Sequence, residues 1–209
     1  MSVMPKTDTV TAWTALKEGN ERFAAGRAEH PHHSVERRSD LTSGQHPIAA
    51  VLGCSDSRVP AEIVFDQGLG DIFVVRNAGH VLDAAVLGSI EYAVAVLNVP
   101  LIVVLGHYSC GAVQATAASI DGGAAPSGHI REVVDLVTPS VLAGRHAGLT
   151  RVDEFVVQHV KETVTGLRIR SATVAQAITS GAVAVVGATY HLSDGRVVLR
   201  DYLGDIGEA

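Results

Sequence analysis

The chain has 209 residues, 47% hydrophobic and 18% charged, with 16 basic against 22 acidic side chains and a formal net charge of −6. A mean hydropathy of +0.25 requires a large buried core and excludes a disordered chain. The acidic balance, without any block of like charge, excludes a protein built to grip a nucleic-acid backbone.

The stretch Met1 to Asp8 lacks the apolar core of a signal peptide. The most apolar segment, Ala84 to Gly106, is interrupted by Glu91, Asn98 and Pro100, so it falls short of a membrane span. A cytoplasmic protein that engages neither membrane nor nucleic acid is expected. Cys54 and Cys110 are the only cysteines, too few for a disulfide scaffold, and paired thiols of this kind bind metal, react or pack.

In chain order, Val10, Trp13, Leu16, Asn20 and Phe23 recur at helical spacing after the capping candidates Thr7, Asp8 and Thr9, with Gly26 closing the segment. From Arg27 to His46 the chain is polar and carries Pro31, which predicts an extended arm or loop. Four apolar runs follow, at Ile48–Leu52, Ile72–Val75, Leu101–Leu105 and Ala182–Ala188. Continuous apolar strands suit a parallel sheet covered on both faces. Helical stretches separate or follow them at Ala84–Leu97, Gly111–Ile120, Ile130–Leu142, Val152–Leu167 and Val174–Ile178. The Asp194-Gly195 turn between Tyr190-His191-Leu192 and Val197–Leu199 predicts an antiparallel final strand. The fold class expected is α/β: a mostly parallel open sheet with flanking helices, an antiparallel edge strand at the C-terminus and an N-terminal helical arm. Residues 1–46 form the helix and arm, and residues 47–209 the α/β catalytic domain, within one domain.

Open α/β sheets bind ligands beyond the carboxyl ends of their strands. One such end carries Gly53-Cys54-Ser55-Asp56-Ser57-Arg58, and another Gly106-His107-Tyr108-Ser109-Cys110-Gly111. Two thiolates and an imidazole from two strands select Zn2+ and leave a fourth position open. Asp56 either fills that position or stands back and hydrogen-bonds a water there. Arg58, on the same side of an extended segment, decides between the two by pairing with the carboxylate. Zinc with two thiolates and one neutral histidine is formally neutral and acidifies its water less than a three-histidine site, so a higher working pH is expected.

These segments resemble the β-class carbonic anhydrases, whose pattern is Cys-x-Asp-x-Arg after one strand and His-x-x-Cys after a later one. The likeness extends through Ser57–Glu62, Asp71–Gly79, Ser89–Ala93 and Val103–His107, covering roughly Ala12 to the C-terminus and strongest between Gln45 and Gln114. The resemblance implies zinc-dependent reversible hydration of carbon dioxide to bicarbonate and a proton by a zinc-bound hydroxide. It implies one zinc per chain held by Cys54, His107 and Cys110, with Asp56 and Arg58 as catalytic dyad. The Gly111 N–H would meet the substrate. Gln45, Phe73 and Tyr92 match pocket residues of the plant-like subgroup, contributed partly by the neighbouring subunit, and Ala78 stands where that subgroup often has Val. The family also implies a homo-oligomer, a dimer or a tetramer of paired dimeric units, in which the N-terminal helix embraces its partner. At low pH Asp56 is expected to leave Arg58 and become the fourth ligand. Val51 replaces the Trp that marks a bicarbonate-inhibited subgroup, so no such regulation is expected.

Three rival readings share these residues: a zinc hydrolase of CS2 or carbonyl sulfide, a structural zinc site closed by Asp56, and a cysteine hydrolase using Cys54 with His107. Other features carry ordinary readings. His30, His32 and His33 are expected at the surface. Gly68-Leu69-Gly70-Asp71 lacks the context of a dinucleotide loop, Glu62 and Asp66 fit a helix and turn, and Arg76 and Asn77 are expected to support the site.

Overall fold

The computed structural model describes residues 7–124 and 126–208. Helix α1 (Thr9–Ala24) starts where the Asp8 side chain accepts from the Thr11 N–H, one of the capping candidates acting as such. Its buried side, Ala12, Trp13, Leu16, Gly19 and Asn20, packs on the chain's own sheet.

The polar stretch after α1 departs from the expected extended arm. It contains a short helix, α2 (Val35–Asp40), and a 3-10 turn at Leu41–Ser43. Ser34 caps α2 by accepting from the Arg37 N–H, a local signal that the proline spacing masked. Two buried carboxylates fasten this stretch. Asp66 accepts from the backbone N–H groups of Glu29 and His30 and from Arg22. Asp71 meets His32, Arg37 and the Gly68 N–H. His30, His32 and His33 are exposed, and His32 is spent on Asp71.

Among the described residues, five strands form one sheet: β1 (Ala49–Cys54), β2 (Ile72–Asn77), β3 (Leu101–His107), β4 (Ala184–Tyr190) and β5 (Val197–Leu203). Their spatial order is β2-β1-β3-β4-β5, with β5 alone antiparallel. The remaining helices are α3 (Ala61–Val64), α4 (Ala84–Ala95), α5 (Gly111–Ile120), α6 (Ile130–His146), α7 (Val152–Arg170) and α8 (Ala172–Thr179). β1 and β3 run further than their apolar cores, so Cys54 and His107 are themselves the last strand residues. β4 starts two residues later than its apolar run, and α6 continues through Pro139 to His146.

β1, β3 and β4 are buried along their whole length, and their alternate residues face two separate cores. Val51, Val103 and Val186 pack under α1 and α3, while Leu52, Val104 and Val185 pack under α4, α7 and α8. A helix can approach the second face closely because Gly106 and Gly187 leave room: a Cβ there would stand 2.5 Å and 2.8 Å from side-chain carbons of Val160. That contact seats α7 low on the sheet. A third core, formed by Val81, Val113, Val137, Val141, Phe155 and Val156 with the two cysteines, lies beneath the carboxyl ends of β1 and β3.

Candidate metal centre

Parallel strands β1 and β3 end side by side, so Cys54 and His107 emerge together, and the turn Tyr108-Ser109 delivers Cys110 to the start of α5. Ser109 adopts φ 56°, and its N–H donates to the Asp153 carboxylate at the first turn of α7 (2.8 Å). The Cys54, His107 and Cys110 ligand atoms lie within 4.8 Å of one another, and all three residues are buried. A tetrahedral ion keeps such atoms roughly 4 Å apart, given bonds of about 2.3 Å to sulfur and about 2.0 Å to nitrogen.

The histidine supplies the clearest fit. Its Nδ1 meets the Tyr108 carbonyl oxygen at 2.9 Å, and because a carbonyl only accepts, the proton resides on Nδ1. Nε2 then presents a lone pair, and it is buried without a hydrogen-bond partner. Such an orphan costs free energy unless something binds it. The adjoining Cys110 thiol draws the Cys54 thiol well below its usual range against the opposing effect of burial, with His107 and the Gly79 N–H adding to the pull. The same contact, with burial, pushes Cys110 up. Burial opposes charge on His107, but the neighbouring Cys54 sulfur outweighs it, and the imidazole is raised. Two buried thiols beside an imidazole form an arrangement that a divalent cation would resolve by taking both sulfurs as thiolates and the histidine as a neutral ligand.

Asp56 stands at the rim, its Oδ2 3.8 Å from His107 Nε2. Arg58 grips it through Nε to Oδ1 at 2.9 Å and Nη2 to Oδ2 at 2.7 Å, and the Arg58 N–H donates to Oδ1 at 3.0 Å. These bonds hold the carboxyl well below the usual carboxylate range, against a smaller opposing effect of burial. Arg76 ties the segment down by donating to the carbonyls of Cys54 and Asp56. Asn77 brackets the following turn through both polar groups of the Val81 backbone.

The expected pocket residues divide into two groups. Ala78 follows β2 at the Cys54 end, and Gly111 opens α5 with free space around its Cα. Phe73 pairs with Ala50, four residues before Cys54, about 13 Å back along the strand. Tyr92, on α4, packs on Phe73 with ring centroids 6.2 Å apart and is 47% exposed. Gln45, exposed, precedes β1 at the opposite end from Cys54. Within one chain these three do not meet the metal ligands.

Sequence reasoning missed a group behind the site: Gly79, whose N–H donates to Cys54 Sγ at 3.4 Å, together with His80, Ser140 and His159, all buried. The available signal was a histidine on the apolar stripe Phe155, Val156, Val160, Val164 of α7, since a polar residue at a core position demands a partner.

A family model described as carbonic anhydrase matches residues 49–197. A carbonic anhydrase of Mycolicibacterium smegmatis is 64% identical over 98% of this chain and 100% of its own length. Carbonic anhydrase 2 of Mycobacterium tuberculosis is 63% identical, covering 98% of this chain and 99% of the relative. Among solved structures, a tetrameric β-carbonic anhydrase of Sordaria macrospora superposes with a TM-score of 0.71 at 25% identity, covering 87% of this chain and 93% of the other. A Coccomyxa β-carbonic anhydrase in complex with acetazolamide gives 0.69 at 25% identity, over 92% and 86%.

Proposed function

The chain belongs to the β-carbonic anhydrases, and from that membership we propose a residue-level account of how it hydrates carbon dioxide reversibly to bicarbonate and a proton. The observation that carries the account is the partnerless, buried His107 Nε2 between two buried thiols.

Cys54, His107 and Cys110 would hold one zinc ion per chain. Zinc in such a site would supply a Lewis acid that lowers the pKa of a bound water. Asp56, kept ionised by Arg58, accepts a hydrogen bond from the attacking oxygen and so aims its lone pair at the carbon. The Gly111 N–H, at the positive end of α5, donates to the substrate oxygen as negative charge grows on it. Ala78 forms part of the apolar wall against which carbon dioxide rests by contact alone. Asp56 lies on Arg58 here, the arrangement of an open site rather than one closed by the carboxylate, and an acidic-pH crystal structure tests its move onto the ion.

Gln45, Phe73 and Tyr92 serve the site of a second copy. Support comes from their distance from Cys54 in one chain, from the exposed Tyr92 ring and from the tetrameric relative. The assembly is a homodimer or a tetramer made of two such dimers, and the N-terminal helix and the polar arm after it reach the partner. A monomer in light scattering would sink this part. No helix among the described residues is long and apolar enough to cross a membrane. A cytoplasmic location is supported by the ligand set itself, which needs both cysteines reduced, and cell fractionation checks it.

The deciding experiment measures carbon dioxide hydration from about pH 6.5 to about pH 9 on protein of confirmed zinc content. Activity climbing with pH supports the account. Absence of activity at one zinc per chain would overturn it.

A further inference from the structure

Behind the metal ligands a chain of hydrogen bonds runs from α6 to Cys54 without touching substrate. Ser140 Oγ on α6 lies 2.8 Å from His159 Nδ1 on α7, and His159 Nε2 lies 2.9 Å from the Gly79 carbonyl oxygen. The carbonyl only accepts, so the proton is on Nε2 and Ser140 donates to Nδ1. Gly79 in turn donates its N–H to Cys54 Sγ at 3.4 Å. Ser140 and His159 are each 3% exposed. Burial keeps the imidazole neutral, its pKa lowered to about 4, so the tautomer is stable at working pH.

Gly79 is the pivot. It has φ 73°, and a Cβ there would stand 2.8 Å from the Ala112 Cβ on α5, so only glycine fits a turn pressed this close to the helix that carries Cys110. Its N–H and C=O belong to the two peptides flanking one Cα. The coupling between His159 and Cys54 is therefore mechanical: with the Gly79 Cα pressed against Ala112, anchoring the carbonyl restrains the one residue whose N–H meets the sulfur.

We propose that His159, locked by Ser140, is a positioning residue that acts through Gly79 to set the direction and electron density of the Cys54 thiolate toward the metal. A thiolate that loses an N–H donor gives more charge to its cation. The inference rests on the metal-centre reading above, and its test is separable from activity.

The test compares the parent protein with His159→Phe, His159→Gln and Ser140→Ala, each loaded with cobalt(II) for absorption spectra and with zinc for chelator competition and pH–rate profiles. In His159→Phe the sulfur-to-cobalt charge-transfer band is expected to move to lower energy, zinc affinity to fall roughly tenfold, and the hydration profile to shift to higher pH. His159→Gln, which keeps a donor at similar reach, is expected to restore all three toward the parent, and Ser140→Ala to shift them partway. A folded His159→Phe with the parent's spectrum and profile overturns the proposal, as does a folded His159→Gln that behaves like His159→Phe. Should His159→Phe fail to fold, Ser140→Ala decides, and an unchanged spectrum and profile in it overturns the proposal. Failure of the parent to bind cobalt would strike the metal-centre reading instead.

Discussion

Arg58 holds both carboxylate oxygens of Asp56 from two residues away, while the nearer oxygen remains 3.8 Å from His107 Nε2. On the proposed account the carboxylate stands within reach of the metal ligands and is kept off the ion by a planar fork that only arginine presents. Restraint of one acidic group separates an open catalytic site from a closed structural one.

Arg58→Ala should therefore reduce hydration at least about 100-fold, the scale of a lost positioning contact, with zinc content unchanged by elemental analysis. Arg58→Lys should recover little, since an ammonium cannot engage both oxygens.

Cys110 is 0% exposed, and the neighbouring Cys54 together with burial pushes its thiol up. Cys110→Ala should purify without zinc. Adding zinc to the chelated parent should raise its stability by about 4 kcal/mol at free metal roughly 1,000 times Kd, and added zinc should leave the melting of Cys110→Ala unmoved.

His80 is 0% exposed with neither ring nitrogen partnered, and burial, then the charges of His159 and His107, push it well below its ordinary value. As pH falls below about 6.5 the unfolded chain takes up this proton and the folded chain does not. Stability is thus fully present above that pH and declines beneath it, by up to about 1.4 kcal/mol per pH unit for one such group. Urea unfolding at several pH values should show a shallower decline in His80→Leu, and an equal slope would refute the assignment.

Gly19 sits inside α1, where alanine ordinarily stabilises a helix by up to about 1 kcal/mol. Here a Cβ would stand 1.9 Å from the Phe65 carbonyl oxygen. Gly19→Ala should instead destabilise the protein by about 1 to 3 kcal/mol, read as a lower melting temperature.

The motifs Cys54-x-Asp56-x-Arg58 and His107-x-x-Cys110 were legible because their chemistry is local: each pair of ligating or restraining groups lies within three residues, and a strand end followed by a turn brings them together wherever the strand goes. The parallel sheet was legible for a similar reason, since strands buried on both faces leave unbroken apolar runs such as Leu101–Leu105. Helix α2 escaped because its six residues bury nothing and leave no periodicity to detect.

The sequence alone determined which groups could gather around a metal, because residue type and short spacing set what two neighbouring strand ends deliver. Only tertiary structure decided what stands behind them. Gly79 and His159 are 80 residues apart, joined because Gly106 and Gly187 let α7 settle against the sheet, and that approach depends on side-chain volumes in three separate elements. The same holds for Phe73, whose distance from Cys54 follows from strand register, a property of the folded sheet that no local pattern encodes, and for Tyr92, which packs on Phe73 from α4.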